Sequence, residues 1–324
     1  MRKKRKIHLT KVVGFIIFNV LFTVLLAPFI TFWGPFEATK TIAVGSVLTS
    51  RHPQVVKAFL SDQEISDIVN NYNDSNATSD RTIQTTVTDA SAGITIETIN
   101  GKTFKGKVML IKDPKRIKVA VTKDLGVKGE RVSDFVQDTG AVAGINGGAF
   151  CDPNGAGNGG FPDGLTVHKG EIVQNNIGSN STDIVALDKE GKLIVGQITA
   201  DDVKKKNIQE AVFFWPPLIQ DGKRCEFKDS EWGIGPRTAI GQKEDGTIIL
   251  AVIDGRQPLW SLGAKMSDLY NLFRDYGAVN AANLDGGSSS ELFYNGKVLN
   301  KLWDWAGERY LPTAFVVMPE ESKS

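Results

Sequence analysis

The chain has 324 residues, 41% hydrophobic and 23% charged, with a formal net charge of +1. This composition excludes a wholly disordered chain, and the near-neutral balance argues against a dedicated nucleic-acid binder. Two cysteines exclude a disulfide-built scaffold and a four-cysteine zinc site.

The charge is unevenly placed. Arg2, Lys3, Lys4, Arg5, Lys6 and Lys11 crowd the N-terminus, and no charged residue follows from Val12 to Phe36. As a helix, such a run crosses a ~30 Å hydrocarbon core, with the basic side kept cytoplasmic. A cleaved signal peptide is the competing reading, but its apolar region is usually shorter, ~7–15 residues. The length of the run, and the Pro28, Trp33, Gly34 and Pro35 that close it, favour an uncleaved anchor. On either reading the rest of the chain lies outside the cytoplasm. The expected organisation is a basic cytoplasmic segment (1–11), a transmembrane anchor (12–36), a spacer (37–82) and a catalytic domain (83–324).

Within the spacer, Ser61-Asp62-Gln63-Glu64 reads as a capping box ahead of Ile65, Ile68 and Val69, predicting a short helix that ends near Tyr72. Val55, Val56, Phe59 and Leu60 can add an earlier turn. Asn73 to Asp80 is polar and without apolar periodicity, and reads as a linker holding the domain off the membrane. It carries two sequons, at Asn73 and Asn76, which matter only in a glycosylating host.

From about Ile83 the pattern changes to short strands and tight turns. Ile94 and Ile96 alternate with polar residues, as do Val108 and Leu110, and Ile117, Val119 and Val121. Asn100-Gly101, Lys169-Gly170, Glu190-Gly191, Asp245-Gly246 and Asn295-Gly296 are hairpin signals. Met266, Leu269, Tyr270, Phe273 and Tyr276 recur at helical spacing before a stop at Gly277. Val132, Phe135 and Val136 predict another short helix before Gly140. The expected class is α+β: a strand-rich mixed sheet domain with a few helices, preceded by one N-terminal transmembrane helix.

Four segments are unlike ordinary turns. In the first, an apolar strand runs into Asn146-Gly147-Gly148, which lets the backbone approach a ligand closely; a hairpin or bulge explains it equally well. The second is the glycine-rich loop from Asp152 to Gly164, of a kind often found over binding sites. Its Asp152 and Asn154 resemble the start of a calcium loop but lack the downstream glutamate. The third is Gly235-Pro236-Arg237-Thr238-Ala239-Ile240-Gly241, leading into a strand that ends in Asp254-Gly255-Arg256. Arg237 and Arg256 are suited to grip a phosphate through bidentate donors, or to pair with surface carboxylates. The fourth is Asn280-Ala281-Ala282-Asn283-Leu284-Asp285-Gly286-Gly287-Ser288-Ser289-Ser290. A carboxylate there stands at a strand end beside a run of N–H groups and hydroxyls. A flexible Gly/Ser linker is the bland alternative, and linkers rarely sit between two patterned core elements.

Together these segments, in this order and at these intervals, resemble the phosphodiester glycosidase family over roughly Gly93 to Pro319. The resemblance rests on Asn146-Gly147-Gly148, Pro236-Arg237-Thr238-Ala239-Ile240-Gly241 and Asn283-Leu284-Asp285-Gly286-Gly287. Two details depart from it: Ala149 precedes Phe150 where an aromatic pair is usual, and Ser288 stands where a third glycine is frequent. Neither removes a charged or nucleophilic group. The resemblance implies hydrolysis of the glycosidic bond in a sugar-1-phosphodiester, such as a GlcNAc-1-phosphodiester. With the basic cap and anchor it implies a membrane-anchored bacterial member, of Gram-positive type, acting on a glycan, exopolysaccharide or cell-wall glycopolymer. A transferase using the same site and a non-catalytic polymer-binding module are the alternatives.

On this reading Asp285 is the base that activates water, or a nucleophile. Arg237 stabilises the departing phosphate, helped by Gly286, Gly287, Ser288 and Ser289, and Asn146 orients the sugar or phosphate. Gly147, Gly148, Asp163, Asp254, Arg256 and Glu291 are further substrate-binding candidates, with turn roles open for Asp163 and Asp254. No cofactor is required, and a divalent cation, calcium or magnesium, stays open. Expected partners are the carbohydrate phosphodiester or surface glycopolymer, and the membrane. Trp303-Asp304-Trp305, if extended, is the best sugar-stacking platform, while His168 reads as structural. Cys151 and Cys225 either form one bridge or remain free thiols.

Overall fold

The long apolar run becomes α1 (Leu9–Trp33), a single helix whose described sides are largely exposed. At 1.5 Å per residue its 25 residues rise about 37 Å, enough to span a bilayer. This computed structural model describes residues 9–48, 54–74, 81–153 and 157–320. The basic residues Arg2 to Lys6, the sequon at Asn76 and Asn154 of the glycine-rich loop lie outside them. Beyond Gly34-Pro35 come α2 (Glu37–Leu48), α3 (Gln54–Lys57) and α4 (Asp62–Asp74). The capping box is present: the Ser61 N–H donates to Glu64 Oε2 at 2.8 Å, and the Glu64 N–H donates back to Ser61 Oγ at 3.2 Å. α4 runs two residues past Tyr72, into the stretch expected to be linker.

α2 has no counterpart in the sequence reading, and it changes the picture of the spacer. Phe32, Val44, Val56, Leu60 and Ile65 form a small core of their own. α2 then lies backbone to backbone against the main domain. A Cβ on Gly45 would sit 2.7 Å from the Ile234 carbonyl oxygen, a contact only glycine permits. The helical part of the spacer is therefore packed against the domain instead of standing off from it.

In chain order the domain continues with β1 (Thr82–Asp89), β2 (Ile94–Asn100), β3 (Lys105–Ile111), β4 (Ile117–Val121), α5 (Val132–Thr139), β5 (Ala143–Asn146), β6 (Leu165–His168), β7 (Glu171–Asn175), β8 (Thr182–Asp188), β9 (Leu193–Ile198), α6 (Asp202–Lys205) and β10 (Ile208–Phe213). It is completed by β11 (Pro217–Gln220), β12 (Lys223–Arg224), α7 (Asp229–Trp232), β13 (Arg237–Lys243), β14 (Ile248–Ile253), α8 (Met266–Asp275), β15 (Ala278–Asn283), β16 (Leu292–Tyr294), β17 (Lys297–Val298) and β18 (Thr313–Val317). Each of the five turn dipeptides joins two antiparallel neighbours.

The strands form an eight-stranded sheet, β1-β2-β3-β14-β13-β15-β11-β12, and two five-stranded sheets, β7-β6-β10-β8-β9 and β17-β16-β5-β18-β4. All pairings between these strands are antiparallel, so the α+β domain is mixed in its elements and not in its strand directions. β14 shows how the layers form. Ile248, Leu250 and Val252 face a core shared by all three sheets, while Ile249, Ala251 and Ile253 face α8. That two-sided burial explains its unbroken apolar sequence. The α8 stripe of Met266, Leu269, Leu272 and Phe273 is fully buried, each side chain contributing about 1.5–3 kcal/mol. The layering brings the start of β13, the end of β14 and the end of β15 to one end of the large sheet. The end of β5 meets them from the neighbouring sheet.

Candidate active site

Asn146 is the brace between the sheets. It ends β5 with no exposed surface. Its Nδ2 donates to the Asp285 carbonyl at 2.6 Å, and its Oδ1 accepts from Thr238 Oγ1 at 2.7 Å and the Glu291 N–H at 3.2 Å. An amide so engaged orients the Asp285 loop, not a sugar, which corrects the role expected from the sequence. Gly147 and Gly148 are corrected likewise. A Cβ on Gly147 would lie 2.4 Å from Thr313 Oγ1, and one on Gly148 2.6 Å from the Phe213 carbonyl. Their close approach is to neighbouring protein.

The loop after β15 holds the acid. Asp285 Oδ1 accepts the Gly286 N–H at 2.9 Å, while Oδ2 is buried without a hydrogen-bond partner. Burial pushes its pKa up to about 6 against the pull of Ser289 and Arg309. The neighbouring N–H groups do not form an open anion nest. Gly287 donates to the Pro236 carbonyl at 3.0 Å, and Ser289 and Ser290 donate back to Gly286 and Gly287. Positive charge comes instead from three arginines.

Arg256, just past the end of β14, sits at φ +57, a left-handed backbone that arginine rarely adopts. Its Nε is buried and unpartnered, and its guanidinium lies 5.2 Å from the Trp303 ring centre. Gly287, beside its Nη1, sits at φ +62, a backbone that favours glycine. Burial lowers the Arg256 pKa, and Asp285 opposes that shift. Arg309, absent from the sequence reading, donates from Nη1 to Ser288 Oγ at 3.0 Å. Its Nη2 stands 2.6 Å from Asp152 Oδ2 in an ion pair without hydrogen-bond alignment. Through Asp152 the glycine-rich loop joins the site. Arg237 is more committed than expected: Nε donates to Ala264 O at 3.1 Å, and Nη2 to Gly233 O at 3.0 Å and to Trp232 O. Burial, and then Arg256 beside it, lower its pKa to about 10.

Glu291 is 2% exposed, with Oε1 buried and unpartnered. Burial and the adjacent Glu308 carboxyl push its pKa up to about 9. Glu308, also missed from sequence, is fixed by the Ser133 N–H at 3.0 Å and Ser133 Oγ at 2.8 Å. The loop therefore carries one acid that ionises near neutrality and one that keeps its proton.

Among the described residues, eight buried side-chain polar atoms lack a hydrogen-bond partner, and seven belong to this cluster: those of Asn283, Asp285, Ser289, Ser290, Glu291 and Arg256, and that of Arg309, which is ion-paired with Asp152. An unmet buried polar group costs about 1–3 kcal/mol, so such a concentration marks a place built for a polar ligand.

Other candidates fall outside. Asp254 is buried, with Oδ2 accepting the Trp260 indole N–H at 2.6 Å and Oδ1 the Lys301 N–H at 2.9 Å, a structural role. Asp163 is exposed and caps Gly164 and Asn176. His168 pairs with Glu210 at 3.2 Å. Trp303-Asp304-Trp305 lies in a bend and turn instead of a strand, so only Trp303 meets Arg256, and Trp305 is 98% exposed. Cys151 and Cys225 are free thiols. Among the described residues no three His, Cys, Asp or Glu side chains group to hold a metal ion. Asp152, weighed as a calcium ligand, has Oδ1 on the Gly157 N–H at 2.7 Å and Oδ2 on Arg309.

Comparisons with known proteins bear on the fold and the family. The zebrafish N-acetylglucosamine-1-phosphodiester alpha-N-acetylglucosaminidase catalytic domain, auto-inhibited by its pro-peptide, superposes with a TM-score of 0.58. That match has 20% identity and covers 74% of this chain and 88% of that one. A hypothetical protein from Synechocystis superposes with a TM-score of 0.56 at 15% identity, covering 70% of this chain and 62% of that one. These likenesses establish the fold. The SPbeta prophage-derived uncharacterized protein YomE of Bacillus subtilis (strain 168) is 32% identical over 129 residues, which is 39% of this chain and 20% of that protein's length. The sequence model of the phosphodiester glycosidase family matches residues 139–318, more than half of the chain and all of the Asp285 loop. The chain belongs to the phosphodiester glycosidase family.

Proposed function

We propose that this protein hydrolyses the glycosidic bond of a sugar-1-phosphodiester, releasing free sugar and a phosphate monoester. We place the reaction outside the cytoplasm, with α1 as the membrane anchor, and take a glycan, exopolysaccharide or cell-wall glycopolymer as the substrate class. The observation that carries this reading is the cluster of buried, unpartnered polar atoms around Asp285, ringed by Arg256, Arg309 and Arg237. Anionic phosphodiester oxygens suit guanidinium donors. The activity for which the zebrafish relative is named supports N-acetylglucosamine as the sugar.

In the reaction the bond between the anomeric carbon and the phosphate oxygen breaks, and its electron pair leaves with the phosphate. The leaving group is a phosphate monoester with a second pKa of ~6, so it departs without the strong acid that an alkoxide demands. Arg256 and Arg309 stabilise the charge that builds on it, while Arg237, held by three carbonyls, adds positive field from behind. Asp285 takes the proton of the attacking water, or attacks C1 itself to form a glycosyl ester that water then opens. Ionised Asp285 is required on either route.

The test is incubation of the full-length protein in detergent with a GlcNAc-α-1-phosphodiester of a simple alcohol, assaying free GlcNAc. Release by the wild type and loss of at least about 10²-fold in Asp285→Asn supports the reading. Equal release by both proteins overturns the role of Asp285, and no release by either overturns the activity on this sugar.

A further inference from the structure

Two side chains have almost nothing over them. Leu259 is fully exposed and Trp305 is 98% exposed. They occupy two loops, 256–262 after β14 and 300–310 before β18, and those loops are tied together. Gln257 Nε2 donates to the Lys301 carbonyl at 3.1 Å, and the Lys301 N–H donates to Asp254 Oδ1 at 2.9 Å. Beside Leu259 stands Trp260, with Lys105 Nζ 3.9 Å and Lys301 Nζ 5.2 Å from its ring centre. The two tied loops therefore combine two exposed apolar tips with an indole that has two ammonium groups close to its ring. Tryptophan, lysine and a bare aliphatic side chain are the chemistry of the headgroup layer of an anionic bilayer. Of the nearby acids, Asp254 is buried with both oxygens engaged, and Asp304 caps the Ala306 N–H at 2.9 Å.

The position of the patch points the same way. Its loops also carry Arg256 and Arg309, so it forms the lip of the Asp285 site. α2, which follows α1 through the Gly34-Pro35 break, docks on Gly233 and Ile234. Two residues on, Gly235 bridges Ala264, and a Cβ on Gly263 would lie 2.4 Å from the Gly235 carbonyl. Leu259 is four residues from Gly263 and so at most about 14 Å away. The helix that follows the membrane-crossing one thus docks at the root of the loop that presents Leu259.

We propose that Leu259, Trp260 and Trp305 dip into the headgroup layer of the membrane that α1 crosses. The Asp285 site is then held against the bilayer surface and works on sugar phosphodiesters carried by lipids. This rests on the proposed anchoring and hydrolase activity. The full-length protein, with Cys151→Ser and Cys225→Ser, is placed in nanodiscs of phosphatidylcholine and phosphatidylglycerol. Leu259→Cys is labelled with an environment-sensitive fluorophore, and Lys189→Cys, on the turn at the far end of the sheets, serves as the control. We expect emission from position 259, and not 189, to shift to the blue and to be quenched several-fold by lipids brominated near the headgroup. Equal, water-like emission from both positions overturns the contact. Turnover of the soluble GlcNAc phosphodiester is measured on the same samples. Cleavage with a water-exposed 259 sinks this inference and leaves the hydrolase reading standing. A lipid-buried 259 without cleavage of soluble or lipid-linked substrate overturns the substrate class and the hydrolase reading while the membrane contact stands.

Discussion

Asp285 and Glu291 differ in protonation by environment, and on the proposed reading Asp285 does its work ionised. With Asp285 shifted up to about 6 and Glu291 up to about 9, activity should rise through pH 6 as Asp285 ionises. It should fall above pH 9 if the Glu291 proton is used. The shift also has a thermodynamic sign. Between the ordinary 3.8 and about 6 the folded state binds more protons at Asp285 than the unfolded chain does, so its stability declines across that window. Above pH 6 the deficit persists. Asp285→Asn should therefore raise the melting temperature at pH 7 while abolishing turnover; an unchanged or lower melting temperature there would contradict the burial cost. Arg256→Lys keeps the charge but loses the two-point grip, and kcat/KM for the phosphodiester should drop on the order of 10-fold to 10²-fold. Sequence patterning pointed to Asp285 and Arg256 because each stands at a glycine-flanked strand end. Arg309, Glu308 and Asp152 gave no such mark. Their place depends on how two long loops fold back; the glycine-rich loop that starts at Asp152 stood out in sequence, while Glu308 and Arg309 did not.

The elements were legible where their chemistry is local. Each Asn-Gly or Asp-Gly-type turn specifies its own hairpin, and the α8 stripe specifies its own buried face. α2 escaped notice because Thr, Gly and Ser interrupt its apolar positions, and its buried contact is a glycine backbone, which leaves no hydrophobic signature. Asn146 misled for a related reason: a polar residue at a strand end reads as available, yet here it ties β5, β13 and the Asp285 loop together. Asn146→Ala would leave the Thr238 hydroxyl, the Glu291 N–H and the Asp285 carbonyl short of a partner. It should lower stability to urea by about 2–4 kcal/mol, from one to three kcal/mol for each buried group left unmet, partly relaxed. A loss below 1 kcal/mol with normal folding would return Asn146 to a substrate-contacting role.

At the scale of the molecule, the sheet order is what the sequence withheld. β5 pairs with β16 and β18, and β3 pairs with β14, partners separated by most of the domain, and no local rule specifies such pairings. The docking of α2 is equally non-local. Gly45→Val would force its side chain into the Ile234 carbonyl, lift α2, and loosen the Trp232 and Gly233 carbonyls that hold Arg237. We expect faster proteolysis of α2 and a kcat reduced by about 3-fold to 10-fold, with detergent-phase partitioning through α1 unchanged. Unchanged protease sensitivity would show that α2 is not held at Gly45.

The scatter of the site along the chain also sets its timing. Asn146, Arg237, Arg256, Asp285 and Arg309 come from separate elements, and the last of them lies just before β18, the strand that clamps β5 to β4. Synthesis from the N-terminus delivers Asn146 well before Arg309, so no nascent chain that stops short of Arg309 holds the full set of cations. Non-local closure of this kind is slow to form, and it makes the Asp285 site a late event in folding. Until β18 is in place, the cations around Asp285 are not held together.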